Sequence, residues 1–358
     1  MNKKIYLSIV IPCLNEKYTI RQVINDAKKN AEKYFPSCHE IIVADNGSTD
    51  GSIKIVEKLN VNLVRVPVRG YGAALHWGIT NAAGKYVLFA DADMSYPFSN
   101  LARFRKALTS SPDLVLGSRI KGVIGKDAMP WVHRYLGTPV LTFLVKKIYK
   151  INTSDCNSGM RVVKKSFYQK LNMRNSGMEW ASELLLKTAL RKGKYNEVPI
   201  RFVKDKRGRK PHLSTWPDGW RHLKAIFLLK PSTLYPIAIA LPTIGIIMFF
   251  MRFSFAFVFL LLDLSVVFFL SLLTLHLLQS AIENKTSDVS RLLNSFSLIP
   301  FTAILLVVVT IAILVVPPEN LGTKLFLVSI FGIVFMWIFL VETIKTHLVN
   351  RLPDVNKT

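Results

Sequence analysis

At 358 residues the chain is long enough for one ordinary soluble domain and something more. Half of it is hydrophobic, yet the formal net charge is +24; 40 of the 47 Lys and Arg residues but only 17 of the 23 acids precede Pro231, an excess of +23 in the first 230 residues. A basic domain attracts polyanions, but no RNP-type aromatic signature, zinc-finger spacing or recognition-helix pattern accompanies the charge, which excludes nucleic acid as the expected partner and leaves anionic lipid or phosphorylated substrates.

The apolar run at 5–14 is interrupted by Pro12 and closed by Asn15-Glu16, with no small-residue cleavage site behind it. That pattern predicts a buried strand rather than a signal peptide. Further strands are predicted at 40–44, 62–66, 86–90 and 114–117, after a first at 6–11. Between the first two, Ile20, Val23, Ile24, Ala27, Ala31 and Tyr34 recur at helical spacing. Strand–helix alternation of this kind predicts an α/β, Rossmann-like domain with a mostly parallel sheet, and in such sheets ligands bind beyond the carboxyl ends of the strands. Three polar clusters fall there: Asn15-Glu16, Asp45-Asn46-Gly47-Ser48 and Asp91-Ala92-Asp93.

Residues 129–150 carry Leu136, Val140, Leu141, Leu144, Val145 and Ile148 beside Arg134, Lys146, Lys147 and Lys150. Periodicity alone leaves two readings open, a helix lying on anionic lipid or one packed on the sheet. Residues 204–222 read as a mobile basic loop, with Trp216 and Trp220 placed where interfacial aromatics are expected and an interfacial helix near 214–230. Four long apolar stretches follow, at about 234–250, 255–277, 298–316 and 325–344, each near the ~20 residues that span hydrocarbon. The expected organisation is a cytoplasmic domain at 1–230 and an all-α transmembrane domain of about four helices at 231–358. Lys285, Arg291, Lys345, Arg351 and Lys357 against Arg252 and Lys324 agree with a basic half on the cytoplasmic side. The intramembrane Asp263 receives no role. Cys13, Cys38 and Cys156 form no CxxC and read as reduced thiols of a cytoplasmic domain.

The motif with the clearest chemistry is Asp91-Ala92-Asp93 at a strand end. Two carboxylates one residue apart can hold Mg²⁺ or Mn²⁺, which takes one or two carboxylates and fills its other positions from water and substrate phosphate. Alone, such a pair is equally a solvated turn. Its company is Pro12-Cys-Leu-Asn15-Glu16, Asp45-Asn46-Gly47-Ser48-Thr49-Asp50-Gly51-Ser52 and Arg69-Gly70-Tyr71-Gly72, in that order. With these the chain resembles the family 2 glycosyltransferases of GT-A fold, and within them the polyprenyl-phosphate sugar synthases of the dolichyl-phosphate mannose or glucose type, over roughly residues 5–230.

The resemblance implies that Pro12, Asn15, Glu16, Asp45, Arg69, Gly70 and Gly72 line the nucleotide-sugar. It implies that Asp91, Asp93 and Ser95 form the metal and diphosphate motif, although the synthases often carry Gln at the position of Ser95. Arg119, Arg134 and Thr138 fall where the synthases bind the lipid phosphate, and Arg207 matches a loop arginine that reaches the diphosphate. Arginine suits phosphate because its planar fork donates two hydrogen bonds and stays charged. Glu179 and Glu183, four apart on one helical face, either contact sugar hydroxyls or cap a groove. The activity so implied is inverting transfer of a hexose from a UDP- or GDP-sugar to a polyprenyl phosphate. That acceptor needs no protein base, since its second pKa lies near 6. Transfer to a hydroxyl and a catalytically inert membrane-anchored nucleotide-sugar binder are the competing readings, and homo-oligomerisation through the tail helices is left open.

Overall fold

A computed structural model of the protein describes residues 4–208 and 215–230, with the isolated positions Thr233, Pro236 and Ala240 beyond them. The chain divides into two compact units, and nearly all described residues belong to the one containing Met1–Leu229. The four predicted apolar spans, Asp263, and Arg209, Lys210 and His212 of the basic loop lie outside the described residues. Among the described residues no helix is long and apolar enough to cross a membrane.

Seven strands form one sheet: β1 (Leu7–Cys13), β2 (His39–Asp45), β3 (Asn62–Arg65), β4 (Tyr86–Phe89), β5 (Leu114–Ile124), β6 (Arg161–Lys164) and β7 (Tyr195–Phe202). Their order is β3-β2-β1-β4-β6-β5-β7. All five predicted strands are present, and β6 is the one strand that runs against its neighbours β4 and β5. Because Arg161 pairs with Phe89, the turn leading into β6 arrives at the carboxyl end of β4.

Side-chain alternation along β1 shows how the sheet is covered on both faces. Leu7, Ile9, Ile11 and Cys13 join a core with α1 (Ile20–Tyr34) and α4 (Leu101–Leu108). Val10 joins the opposite core with α3 (Tyr71–Asn81), α5 (Thr138–Tyr149) and α7 (Trp180–Leu190). Two short helices, α2 (Ser52–Glu57) and α6 (Lys165–Lys170), complete the layers before α8 (Thr215–Leu228). Helix α1 buries Ile20, Val23, Ile24, Ala27 and Ala31, the stripe expected from the spacing.

Residues 215–228 form a helix, the element expected near 214–230, so the loop reading of 204–222 fails over 215–222, and the helix's anchoring explains why. His222 Nδ1 lies 2.7 Å from the Ser182 hydroxyl on α7, and the Tyr149 hydroxyl of α5 donates to the Ile226 carbonyl at 2.6 Å. Asp218 stands in the first turn, where an acid complements the helix dipole. Burial lowers the His222 pKa to about 4, so the ring is neutral and suited to this contact at ordinary pH.

The reading of residues 129–150 as a helix packed on the sheet holds for one face of the element. A π-helical turn at His133–Gly137 leads into α5, which buries Leu141, Val145 and Tyr149. Its other side leaves Trp131 (69 % exposed), Tyr135, Leu136, Val140 and Phe143 (60 %) uncovered. These apolar side chains stand beside Arg134, Lys146 and Lys147.

Candidate active site

The rim formed by the carboxyl ends of β1, β2 and β4 gathers the three polar clusters. Asn15 follows β1 in a left-handed backbone (φ 58°), and Met94 takes the same region (φ 67°) after the acid pair. Non-glycine residues pay for that conformation, which is found preferentially at functional turns. Asn15 and its neighbours stitch the first rim loop to the second. The Asn15 amide donates to the Ser48 hydroxyl at 2.9 Å, its Oδ1 accepts from the Thr49 amide at 2.8 Å, and the Glu16 amide donates to Ser52 Oγ at 2.8 Å. Asp45 is buried and accepts from the amides of Gly47 (2.9 Å) and Ser48 (3.1 Å), so its carboxylate shapes its own loop as well as facing the rim.

Arg69, Gly70 and Gly72 brace this cradle. The Arg69 guanidinium donates to the Asn46 carbonyl at 3.0 Å and lies against Gly47. Gly70 has φ +134°, and a Cβ there would fall 2.2 Å from the Ser176 carbonyl oxygen; one on Gly72 would fall 2.7 Å from the Asn175 oxygen and 2.5 Å from Trp180 Cβ. Both glycines thus permit close packing of α3 on the 175–177 loop, a role that glycine-rich spacing alone does not reveal. Gly72→Ala is expected to cost about 1–3 kcal/mol, as overpacking does, measurable by urea denaturation; an unchanged midpoint would remove this packing role.

Asp93 is buried and Asp91 half-buried, and each of their carboxylate oxygens but one has a hydrogen-bond donor. Asp91 Oδ1 accepts from the Tyr71 hydroxyl at 2.9 Å, while its Oδ2 faces Gly159, where a Cβ would lie 2.8 Å away. Asp93 Oδ1 accepts from the Ser95 amide at 2.9 Å, and its Oδ2 receives Arg207. Ser95 is also held through its carbonyl by the Val203 amide at 2.9 Å. Burial, and then the neighbouring Asp93, push the Asp91 carboxyl up to about 6.

These residues fit a divalent cation. The donors are hard oxygens, glycine leaves space at Asp91 Oδ2, and a guanidinium already stands as a cation on Asp93. With a folded pKa above the unfolded value, Asp91 favours the fold most when protonated, and that contribution is lost as pH rises through about 6. Proton and divalent ion then compete for it, so Mn²⁺ affinity should fall as pH drops through about 6. Counting free Mn²⁺ by electron paramagnetic resonance between pH 5 and 7.5 checks this; a flat profile contradicts it.

Arg119 sits differently from the expectation. A register shift between β5 and β7 after Ser118 lets residues 119–122 bulge from the sheet, re-aiming the side chain as bulges do. Its Nε and Nη2 donate to Asp155 at 2.7 and 2.8 Å, and its amide donates to the same carboxylate at 3.0 Å. The two-pronged edge that would grip a phosphate is taken up by a buried carboxylate. What Arg119 still supplies is charge: it opposes, weakly, the rise of the Asp91 pKa that burial and Asp93 cause, and after burial it lowers that of His133.

Arg134 is exposed and stacks over Tyr135 at 5.3 Å. With Thr138, Thr142, Lys146, Lys147 and Ser154 it lines an open groove of about 620 Å³ along α5. Glu183 is a structural clasp, accepting from the Arg174 and Asn175 amides and from Lys187 Nζ at 2.6 Å. Glu179 keeps a buried Oε2 with no hydrogen-bond partner. Tyr71 and Tyr96, whose hydroxyl accepts from the Gly159 amide at 2.8 Å, are site residues that sequence reasoning did not single out. No spacing rule ties a tyrosine at 71 to an acid at 91.

Residues 8–171 match the model for glycosyl transferase family 2, so the chain carries a glycosyltransferase family 2 domain. It is 32% identical over 230 residues to the low-salt glycan biosynthesis hexosyltransferase Agl6 of Haloferax volcanii, covering 64% of this chain and 55% of that protein. It is 28% identical over 229 residues to the dolichyl-phosphate beta-glucosyltransferase of Saccharomyces cerevisiae, covering 56% of this chain and 67% of that one. The chain thus spans about half the length of the first of these relatives. Glucosyl-3-phosphoglycerate synthase of Mycobacterium tuberculosis, crystallised with Mn²⁺, UDP and phosphoglyceric acid, has a similar fold (TM-score 0.50, 21% identity, 62% of this chain and 77% of that one).

Proposed function

We propose that the chain transfers a hexosyl group from a nucleoside diphosphate sugar to a polyprenyl phosphate at a membrane surface, with inversion at the anomeric carbon. One observation carries the reading. The 154–159 turn joins the two regions: Ser154 lines the α5 groove, Asp155 holds Arg119, and Gly159 lies against Asp91 Oδ2. Pro12, Asn15, Glu16 and Asp45 would hold the nucleoside, and Arg207 the diphosphate. Arg134 and Thr138 would hold the acceptor phosphate, with Arg119 adding charge rather than hydrogen bonds. The uncovered Trp131, Tyr135, Leu136, Val140 and Phe143 would seat this side at the bilayer, where a lipid-borne phosphate reaches the groove. A divalent ion at Asp91 and Asp93, beside Ser95, would neutralise the departing diphosphate.

An acceptor phosphate is a competent nucleophile at neutral pH. The protein's contribution is then positioning and charge stabilisation. Relatives named for dolichyl-phosphate hexose transfer support this acceptor class over a hydroxyl. The catalytic domain would lie on the cytoplasmic side, with the apolar tail as a multi-pass anchor. Membranes containing the chain, supplied with labelled UDP- and GDP-sugars and a polyprenyl phosphate, are expected to yield a labelled lipid cleaved by mild acid. An acid-stable product would point to a hydroxyl acceptor instead, and Arg134→Ala with undiminished turnover would remove the groove from the reaction.

A further inference from the structure

Arg207 lies in the loop after β7, with its side chain only 11% exposed. It pairs with Asp93, stands 3.6 Å from Glu16 and 3.7 Å from Asp205, and so meets three carboxylates at once. Backbone pins the loop to the acid turn as well: the Lys206 amide donates to the Asp93 carbonyl at 3.0 Å and the Val203 amide to that of Ser95. The guanidinium Nε is buried without a hydrogen-bond partner, so the side chain is held by charge more than by complete hydrogen bonding. Next to it, Gly208 turns the chain with φ +68°.

Resting on the reading of Asp91 and Asp93 as divalent-cation ligands, we propose that Arg207 is an internal counter-ion that occupies the cation's position on Asp93 and must leave it for the ion to bind. Asp93 has one oxygen engaged by the Ser95 amide and the other by Arg207, so a second cation on this carboxylate would sit against the guanidinium. A guanidinium and a divalent ion on one buried carboxylate also repel strongly at low dielectric. Since the stem at 203–206 stays hydrogen-bonded, the exchange needs only the Arg207 side chain to swing away. Its departing charge would then be free for the donor's diphosphate, which links ion binding to donor capture.

The test uses the full chain and Mn²⁺ alone, with no nucleotide. Arg207→Gln is expected to bind Mn²⁺ about tenfold more tightly, as relief of a competing cation predicts, while Lys206→Gln, which removes the same charge one residue away, stays at the wild-type affinity. Unchanged or weaker binding in Arg207→Gln overturns the proposal, and so does equal tightening in both variants. Asp93→Asn separates the two claims. Loss of Mn²⁺ binding there leaves the metal reading standing whatever Arg207 does, whereas wild-type binding removes that reading and the exchange with it. The unmodified protein gives an independent readout, because trypsin must take the Arg207 side chain into its own pocket. Mn²⁺ is expected to speed cleavage after Arg207 relative to cleavage after the exposed Lys206; an unaltered ratio overturns the exchange.

Discussion

Replacing Arg119 by alanine is expected to destabilise the domain by about 3–5 kcal/mol, the cost of stranding one member of a buried ion pair. Asp155 is fully buried and receives three hydrogen bonds from this one residue, two of which disappear with the guanidinium. Burial drives the Asp155 carboxyl toward protonation, but the Arg119 charge outweighs it and holds the pKa below the usual range. A depressed carboxyl contributes stability above its unfolded pKa and loses it as pH falls through the folded value. The gap between wild type and Arg119→Ala should therefore be widest near pH 7.5 and narrow toward pH 4. Urea denaturation at several pH values measures it, and a loss under about 1 kcal/mol would show that the pair is dispensable. Activity lost in this variant reports stability first, which makes Arg134 the cleaner test of phosphate binding.

Asp93→Asn is expected to lower turnover by more than about 10²-fold, the scale of losing a key electrostatic stabiliser of a departing oxyanion. The amide is nearly isosteric, and its Oδ1 can still accept from the Ser95 amide. Arg207 retains Glu16 and Asp205, so the loop keeps two of its three carboxylates. Folding should survive, as near-ultraviolet circular dichroism would show, and turnover should not recover as Mn²⁺ is raised. A folded variant within tenfold of wild type would remove the acid pair from catalysis.

The first half of the fold was legible because parallel strands covered on both faces read as short apolar runs. β6 is four residues with charged ends, Arg-Val-Val-Lys, too short and too polar to announce itself. β7 carries Asn196, Glu197 and Arg201 together with Pro199, which argues against a strand until its place at the sheet edge is known. At the site, Asp91 and Asp93 were visible as a local pattern. The partners that decide what the arginines do were not, because they are distant in the chain: Arg119 meets Asp155 across 36 residues, and Arg207 meets Asp93 across 114. Residue type predicts that an arginine seeks an anion, but only the topology says whether that anion is a substrate or the protein's own carboxylate.

The reversed strand β6 has a consequence for how the molecule is made. By delivering the 155–160 turn to the end of β4, it lays Gly159 beside Asp91, although β5 and α5 lie between them along the chain. Neither half of the polypeptide holds both the acid pair and the 155–160 turn. During synthesis the first four strands can pair early, but the acid pair meets Gly159 and Arg207 only after β6 has been threaded between β4 and β5. Competence should therefore emerge as a late, long-range event in folding, and a break in the chain between β4 and β6 would leave two pieces that must find each other first.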